Sequence, residues 1–193
     1  MQHLLQEIKK CTICASELPF GANPVVQASS NSKICIIGQA PGKKVHESGV
    51  AWDDPSGNRL RSWLSVTNNE FYDPQLFALV PMGFCYPGKG KSGDNPPRPE
   101  CAPTWHPALL QAMPNLSLIL LVGSYAQSYY LDDNLTLTER VKTFENCPIP
   151  YFPLPHPSPR NNIWLRKNAW FEQDVLPALR SKIEPLKIIS STN

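Results

Sequence analysis

"KICIIGQAPG", residues 33–42, decides the class of fold. Four consecutive apolar residues, Ile34 to Ile37, leave no polar face, so a strand built from them is covered on both sides. Gly38 and the Pro41–Gly42 pair then end it in a turn. "LFALVPM" (76–82) and "LSLILLVG" (116–123) repeat the pattern, and "IPYFPLP" (149–155) reads as a fourth strand. Between them lie stretches with helical spacing. "SGNRLRSWLSV" (56–66) offers Ser56 as N-cap and Leu60, Trp63 and Leu64 on one face. "PTWHPALLQAM" (103–113) and "SYAQSYYL" (124–131) are similar. "NAWFEQDVLPALRSKI" (168–183) closes the chain as a helix kinked or interrupted at Pro177. Strands alternating with helices predict an α/β fold with a parallel sheet, whose ligands bind beyond the carboxyl ends of the strands. Four segments therefore draw attention: "GQAPG" (38–42), the stretch containing Cys85, "GSYAQ" (123–127) and "HPSPRN" (156–161).

A chain of 193 residues with 41% hydrophobic content is enough for one domain with a sizeable core, taken as residues 1–193. A net charge of +2 does not by itself argue for nucleic acid. The 21 prolines gather at 95–107 and 148–159, which reads as long rigid connections. "MQHLLQEIKKCTIC" reads as a short amphipathic helix without the apolar stretch of a secretory signal, and "LSLILLV" is too short to span a bilayer. The expectation is a cytoplasmic protein, not bound to membrane and monomeric. "KIISSTN", residues 187–193, reads as a disordered terminus.

Six cysteines in a cytoplasmic protein suggest metal or reactivity more than disulfides. Cys11 and Cys14 form a CxxC, and fifteen residues separate Cys85 from Cys101. Four thiolates suit a tetrahedral zinc or a 4Fe-4S cluster, and spacing alone does not choose between metal and scattered free thiols. Either metal would pin the N-terminal helix to the Cys85–Cys101 loop. Cys35 and Cys147 read as small buried hydrophobes.

Taken together, "GQAPG", "SGVAWDDPSGNRLRSWL" (48–64), the Cys85–Cys101 pair and "HPSPRN" resemble the uracil-DNA glycosylase superfamily, in order over about residues 11–175. The cysteine framework is similar to that of its iron–sulfur families, 4 and 5. The resemblance implies a three-layer α/β sandwich around a central four-stranded parallel sheet. It implies a DNA partner, a pocket for a flipped-out base, and hydrolysis of its N-glycosidic bond. It also implies a structural 4Fe-4S cluster on Cys11, Cys14, Cys85 and Cys101, with zinc as the alternative.

Carried over residue by residue, the resemblance makes Gly38, Gln39 and Ala40 part of the base pocket. The family's glutamate is Gln39 here, and an amide orients water without accepting its proton. Trp52 takes the position of a base-stacking phenylalanine. Asp53 and Asp54 are candidates to replace the glutamate; the competing reading is a "DDPSG" turn that caps a helix. Where the family reads uracil with an asparagine, this chain has Pro81 and Met82. His156 is the expected donor to the departing base. Ser158, Arg160, Asn161, Arg166, Lys167, Lys43 and Lys44 are candidate DNA contacts. His46 and His106 belong to no motif and read as surface or structural residues.

Three functions compete. One is a glycosylase of DNA repair acting on uracil or another deaminated base. A second is a DNA-binding member that has lost the chemistry. A third is a metal-stapled α/β protein acting on some other nucleoside or nucleotide.

Overall fold

The computed structural model describes residues 1–190. In chain order it contains α1 (Gln2–Lys9), β1 (Ile34–Ile37), α2 (Lys43–Ser48), α3 (Pro55–Leu64) and α4 (Asn68–Phe71). There follow β2 (Phe77–Leu79), β3 (Lys89–Gly90), β4 (Gly93–Asp94), α5 (Cys101–Gln111) and β5 (Leu118–Val122). The rest is α6 (Ser124–Tyr130), α7 (Leu137–Lys142), β6 (Tyr151–Leu154), α8 (Asn162–Lys167) and α9 (Leu176–Ser190).

The four apolar runs form one sheet in the order β2-β1-β5-β6. All its pairings are parallel, with Ile34 opposite both Phe77 and Leu118, and Val122 opposite Leu154. Alternate residues feed two cores. Ile34, Ile36, Phe77, Leu79, Leu118, Leu120 and Phe152 pack against Leu60 and Leu64 of α3 and Leu179 and Ile183 of α9. Cys35, Ile37, Ala78, Ile119 and Leu121 pack against Ile8, Leu109 and Ala126 of α1, α5 and α6. Helices thus cover both faces of a buried parallel sheet, a three-layer α/β sandwich. Pro153 is accommodated because β6 is an edge strand.

From β1 the chain steps to β2 on one side and, later, to β5 on the other. The carboxyl ends of β1 and β5 therefore flank the point where the strand order reverses, the place where such sheets open a crevice.

The helix expected to be capped by Ser56 starts two residues earlier. Asp54 has extended backbone, and its Oδ1 accepts the Gly57 N–H at 2.7 Å, while Ser56 lies inside the helix. Pro55 explains the shift: its fixed φ and missing N–H suit the first helical position. The closing helix is not broken at Pro177. A π-helical turn, Phe171–Val175, leads directly into α9, so Pro177 lies inside one helical run whose α-helical hydrogen bonding is interrupted just ahead of it. Lys187–Ser190, expected as a disordered tail, continue α9; residues 191–193 lie outside the described residues. No helix among the described residues is long and apolar enough to cross a membrane.

Candidate active site

A cavity of about 460 Å³ opens in that crevice. Gly38–Gly42 after β1, Pro81 after β2, Tyr125 at the start of α6 and His156 after β6 line it, so every strand of the sheet contributes from its carboxyl end. Trp52 and Asp54 enter from the segment leading into α3, and Gly93 and Asp94 from the β3–β4 hairpin.

Trp52 is held with care. Its φ of 59° is in the left-handed region, costly for a bulky side chain. The Tyr72 hydroxyl donates to Ala51 O at 3.0 Å, and Arg61 Nη1 donates to Trp52 O at 3.3 Å. Arg61 is itself buried, donates to Asn58 Oδ1 at 2.6 Å, and lies over the Phe71 and Tyr72 rings. Two glycines make room. A Cβ on Gly57 would run into the Trp52 carbonyl, and one on Gly38 would stand 2.7 Å from Trp52 Cζ2. The indole therefore lies directly on the first motif, with the His156 ring 5.9 Å away and tilted by 31°.

His156 is oriented by its own loop. The Ser158 N–H donates to Nδ1 at 3.2 Å, and Asn161 Nδ2 donates to the His156 carbonyl at 2.7 Å. A backbone N–H can only donate, so Nδ1 carries a lone pair and the neutral ring bears its proton on Nε2. Burial pushes the imidazole below its ordinary pKa, while the charges of Asp54 and Asp94 pull the other way. The ring is thus neutral near pH 7, with an Nε2–H that has no hydrogen-bond partner among the described residues. The loop is braced by Arg59, which donates to Ser158 O at 3.1 Å, and by Arg160, which donates to Ser92 O of the hairpin at 3.0 Å.

Gly38, Gln39, Ala40, Trp52, Asp54, His156, Ser158, Arg160 and Asn161 all line the one cavity; Asp53, Lys43, Lys44, Arg166 and Lys167 do not. Lys43 pairs with Glu47 at 3.8 Å and stands 6.0 Å from the Phe20 ring centroid, and Arg166 and Lys167 are exposed at the end of α8. Gln39 Nε2 donates to Asn95 O at 3.4 Å. Asp94 is the one carboxylate of the cavity that sequence reasoning missed, and Ser92 and Tyr125 also line it without having been singled out. The only signal for Asp94 was a lone carboxylate in a glycine-rich stretch, with nothing to show that the hairpin folds back beside the first motif.

His106 proves structural. Its Nε2 lies 3.0 Å from Pro81 O and its Nδ1 2.6 Å from the Tyr130 hydroxyl, which makes Nε2 the donor and Nδ1 the acceptor. It thereby holds the Pro81 carbonyl at the cavity wall. His46 packs among Phe20 and Tyr86.

Four of the six cysteines gather around the Gly83–Cys85 stretch. Cys11, Cys14, Cys85 and Cys101 surround one small cavity with Phe84 and Arg98. All are free thiols, and the Phe84 N–H donates to Cys101 Sγ at 3.3 Å. Burial, with the neighbouring sulfurs adding to it, raises the thiol pKa of Cys85 to about 11 and of Cys101 to about 12. Four convergent thiols with a backbone donor to sulfur suit a thiophilic metal group, although no group of three or more His, Cys, Asp or Glu among the described residues is disposed to hold a metal ion. Cys35 is fully buried in the sheet and Cys147 is half-buried.

Compared with known families, the chain matches the model described as the Uracil DNA glycosylase superfamily over residues 25–180. The match takes in all four strands of the parallel sheet and the whole lining of the cavity.

Proposed function

The chain belongs to the uracil-DNA glycosylase superfamily, and on that premise we propose that it is a DNA glycosylase of base-excision repair. Its substrate is DNA carrying uracil or another deaminated base, which must leave the stack to reach the cavity. The observation that carries the reading is the His156 ring at the cavity wall, with Nδ1 occupied by the Ser158 N–H, which leaves Nε2 to carry the proton of the neutral ring. As the glycosidic bond breaks, its electron pair leaves on the base, and a fixed donor beside the base oxygen stabilises that charge. Trp52 offers an aromatic face for stacking against the base, and Asp54 and Asp94 are the carboxylates that line the cavity. Ser158, Arg160 and Asn161, which line the cavity, would contact the DNA backbone around the extruded nucleotide. Lys43, Lys44, Arg166 and Lys167 extend that contact as exposed cations.

Cys11, Cys14, Cys85 and Cys101 would hold a 4Fe-4S cluster, whose contribution is to clamp the N-terminal segment to the Cys85–Cys101 loop. A single zinc draws all four sulfurs to about 2.3 Å from one ion, whereas a cubane gives each sulfur its own iron and a wider ring.

The second reading, a DNA-binding member without chemistry, is favoured by Gln39 standing where the family has a glutamate and by Pro81–Met82 where it has an asparagine. A panel of oligonucleotides with uracil, hypoxanthine or xanthine, single- and double-stranded, separates the two. Alkali-dependent strand scission supports the glycosylase; salt-sensitive binding without scission supports the second reading.

A further inference from the structure

We propose that Asp94, carried in on the β3–β4 hairpin, is the carboxylate that takes the place of the first motif's missing glutamate. The inference rests on the glycosylase reading and adds the residue that handles the water. Three observations bring the hairpin to the site, two of them to the first motif. The Asp94 Oδ2 is 3.5 Å from where a Cβ on Gly42 would stand. Gln39, at the glutamate's own position, turns its amide toward Asn95 O, the next residue along the chain. Arg160, from the histidine loop, grips Ser92 O, so one hairpin is tied to both ends of the site. The Gly93 backbone permits this grip, since a Cβ there would collide with Arg160 Nη1.

Asp94 is also the carboxylate left free to act. Asp54 Oδ1 is committed to the Gly57 N–H as the cap of α3, and Asp53 does not line the cavity. Asp94 Oδ1 accepts from the Tyr86 hydroxyl at a long 3.5 Å. Asp94 is exposed and lines the cavity wall, so its carboxylate is within reach of water in the cavity. The step balances as a hydrolysis. Water oxygen bonds to the sugar C1′ and passes a proton to Asp94. The C1′–N bond breaks with its electron pair going to the base, which His156 Nε2–H stabilises. The base then takes up one proton, Asp94 releases its own, and the products are an abasic sugar and the free base.

The test is single-turnover excision by Asp94→Asn, and by Asp94→Asn combined with Gln39→Glu, on the oligonucleotide that the wild type processes. The folded state is checked by thermal melting. Asp94→Asn is expected to slow excision by about 10²-fold, the lower range for a lost general base, while binding the same DNA. Returning the carboxylate through Gln39→Glu is expected to recover at least tenfold of that loss, which a merely structural role for Asp94 would not produce. Wild-type rates in Asp94→Asn overturn the assignment and leave the glycosylase reading intact. A wild type that excises no base from any of the oligonucleotides overturns both.

Discussion

Replacing Gly38 with alanine adds one carbon to the first motif and tests whether Trp52 is the stacking platform. An ideal Cβ there would stand 2.7 Å from Cζ2 and 3.3 Å from Cη2 of the indole. Carbon atoms rest at about 3.5 Å, so the indole has to retreat by roughly 0.8 Å. Its backbone cannot follow, because Arg61 and Tyr72 hold residues 51 and 52 from the core side. The ring tilts into the space the base needs. Base–aromatic stacking contributes about 1–3 kcal/mol, so losing most of it lowers kcat/KM about 5- to 100-fold. Single-turnover excision with enzyme in excess reads this directly. Gly38→Ala, Trp52→Ala and the double variant complete a thermodynamic cycle. Because both single changes act on one platform, the double variant is expected to be no slower than Trp52→Ala alone. Losses that add, or a Gly38→Ala protein that works at the wild-type rate, refute the placement.

Acid sensitivity should trace to His106. Burial lowers its pKa to about 4 from an ordinary 6.5, so the unfolded chain binds a proton that the folded chain refuses. Stability is then full above pH 6.5 and falls as pH drops toward 4, by about 3 kcal/mol at most; melting temperature followed across this window should fall, and fall less in His106→Gln. For the cysteines, anaerobically purified protein is expected to carry about four iron atoms per chain, lost with Cys→Ser at 11, 14, 85 or 101 and kept with Cys35→Ser; one zinc per chain by metal analysis would replace the cluster with the alternative ion.

The parts of this fold that can be read from sequence are those whose physics is local. Ile34–Ile37 and Leu118–Val122 are apolar without interruption because helices cover both faces of the sheet, and that burial is written in consecutive residues. His156 stands out because a strand end, two prolines and a turn residue sit beside it in the chain. The start of α3 is misread at Ser56 because Asp54, Pro55 and Ser56 all carry helix-start chemistry, and only the backbone shows which side chain reaches the Gly57 N–H. The β3–β4 hairpin has two residues on each side and no alternation of apolar and polar residues. Its place beside the first motif is set by distant partners, Arg160 donating to Ser92 O and Gln39 to Asn95 O, so Asp94 could not be read as a site residue. The same holds for His106, whose partners Pro81 and Tyr130 lie on other elements.

The most direct measurement is the release of free base by wild-type protein and by His156→Ala under single-turnover conditions. The wild type is expected to liberate the base stoichiometrically. His156→Ala should retain DNA binding yet release the base about 10²- to 10³-fold more slowly, the cost of one donor to a developing negative charge. Equal rates in the two proteins, or no base released by the wild type, would contradict a glycosylase that works through the His156 Nε2–H.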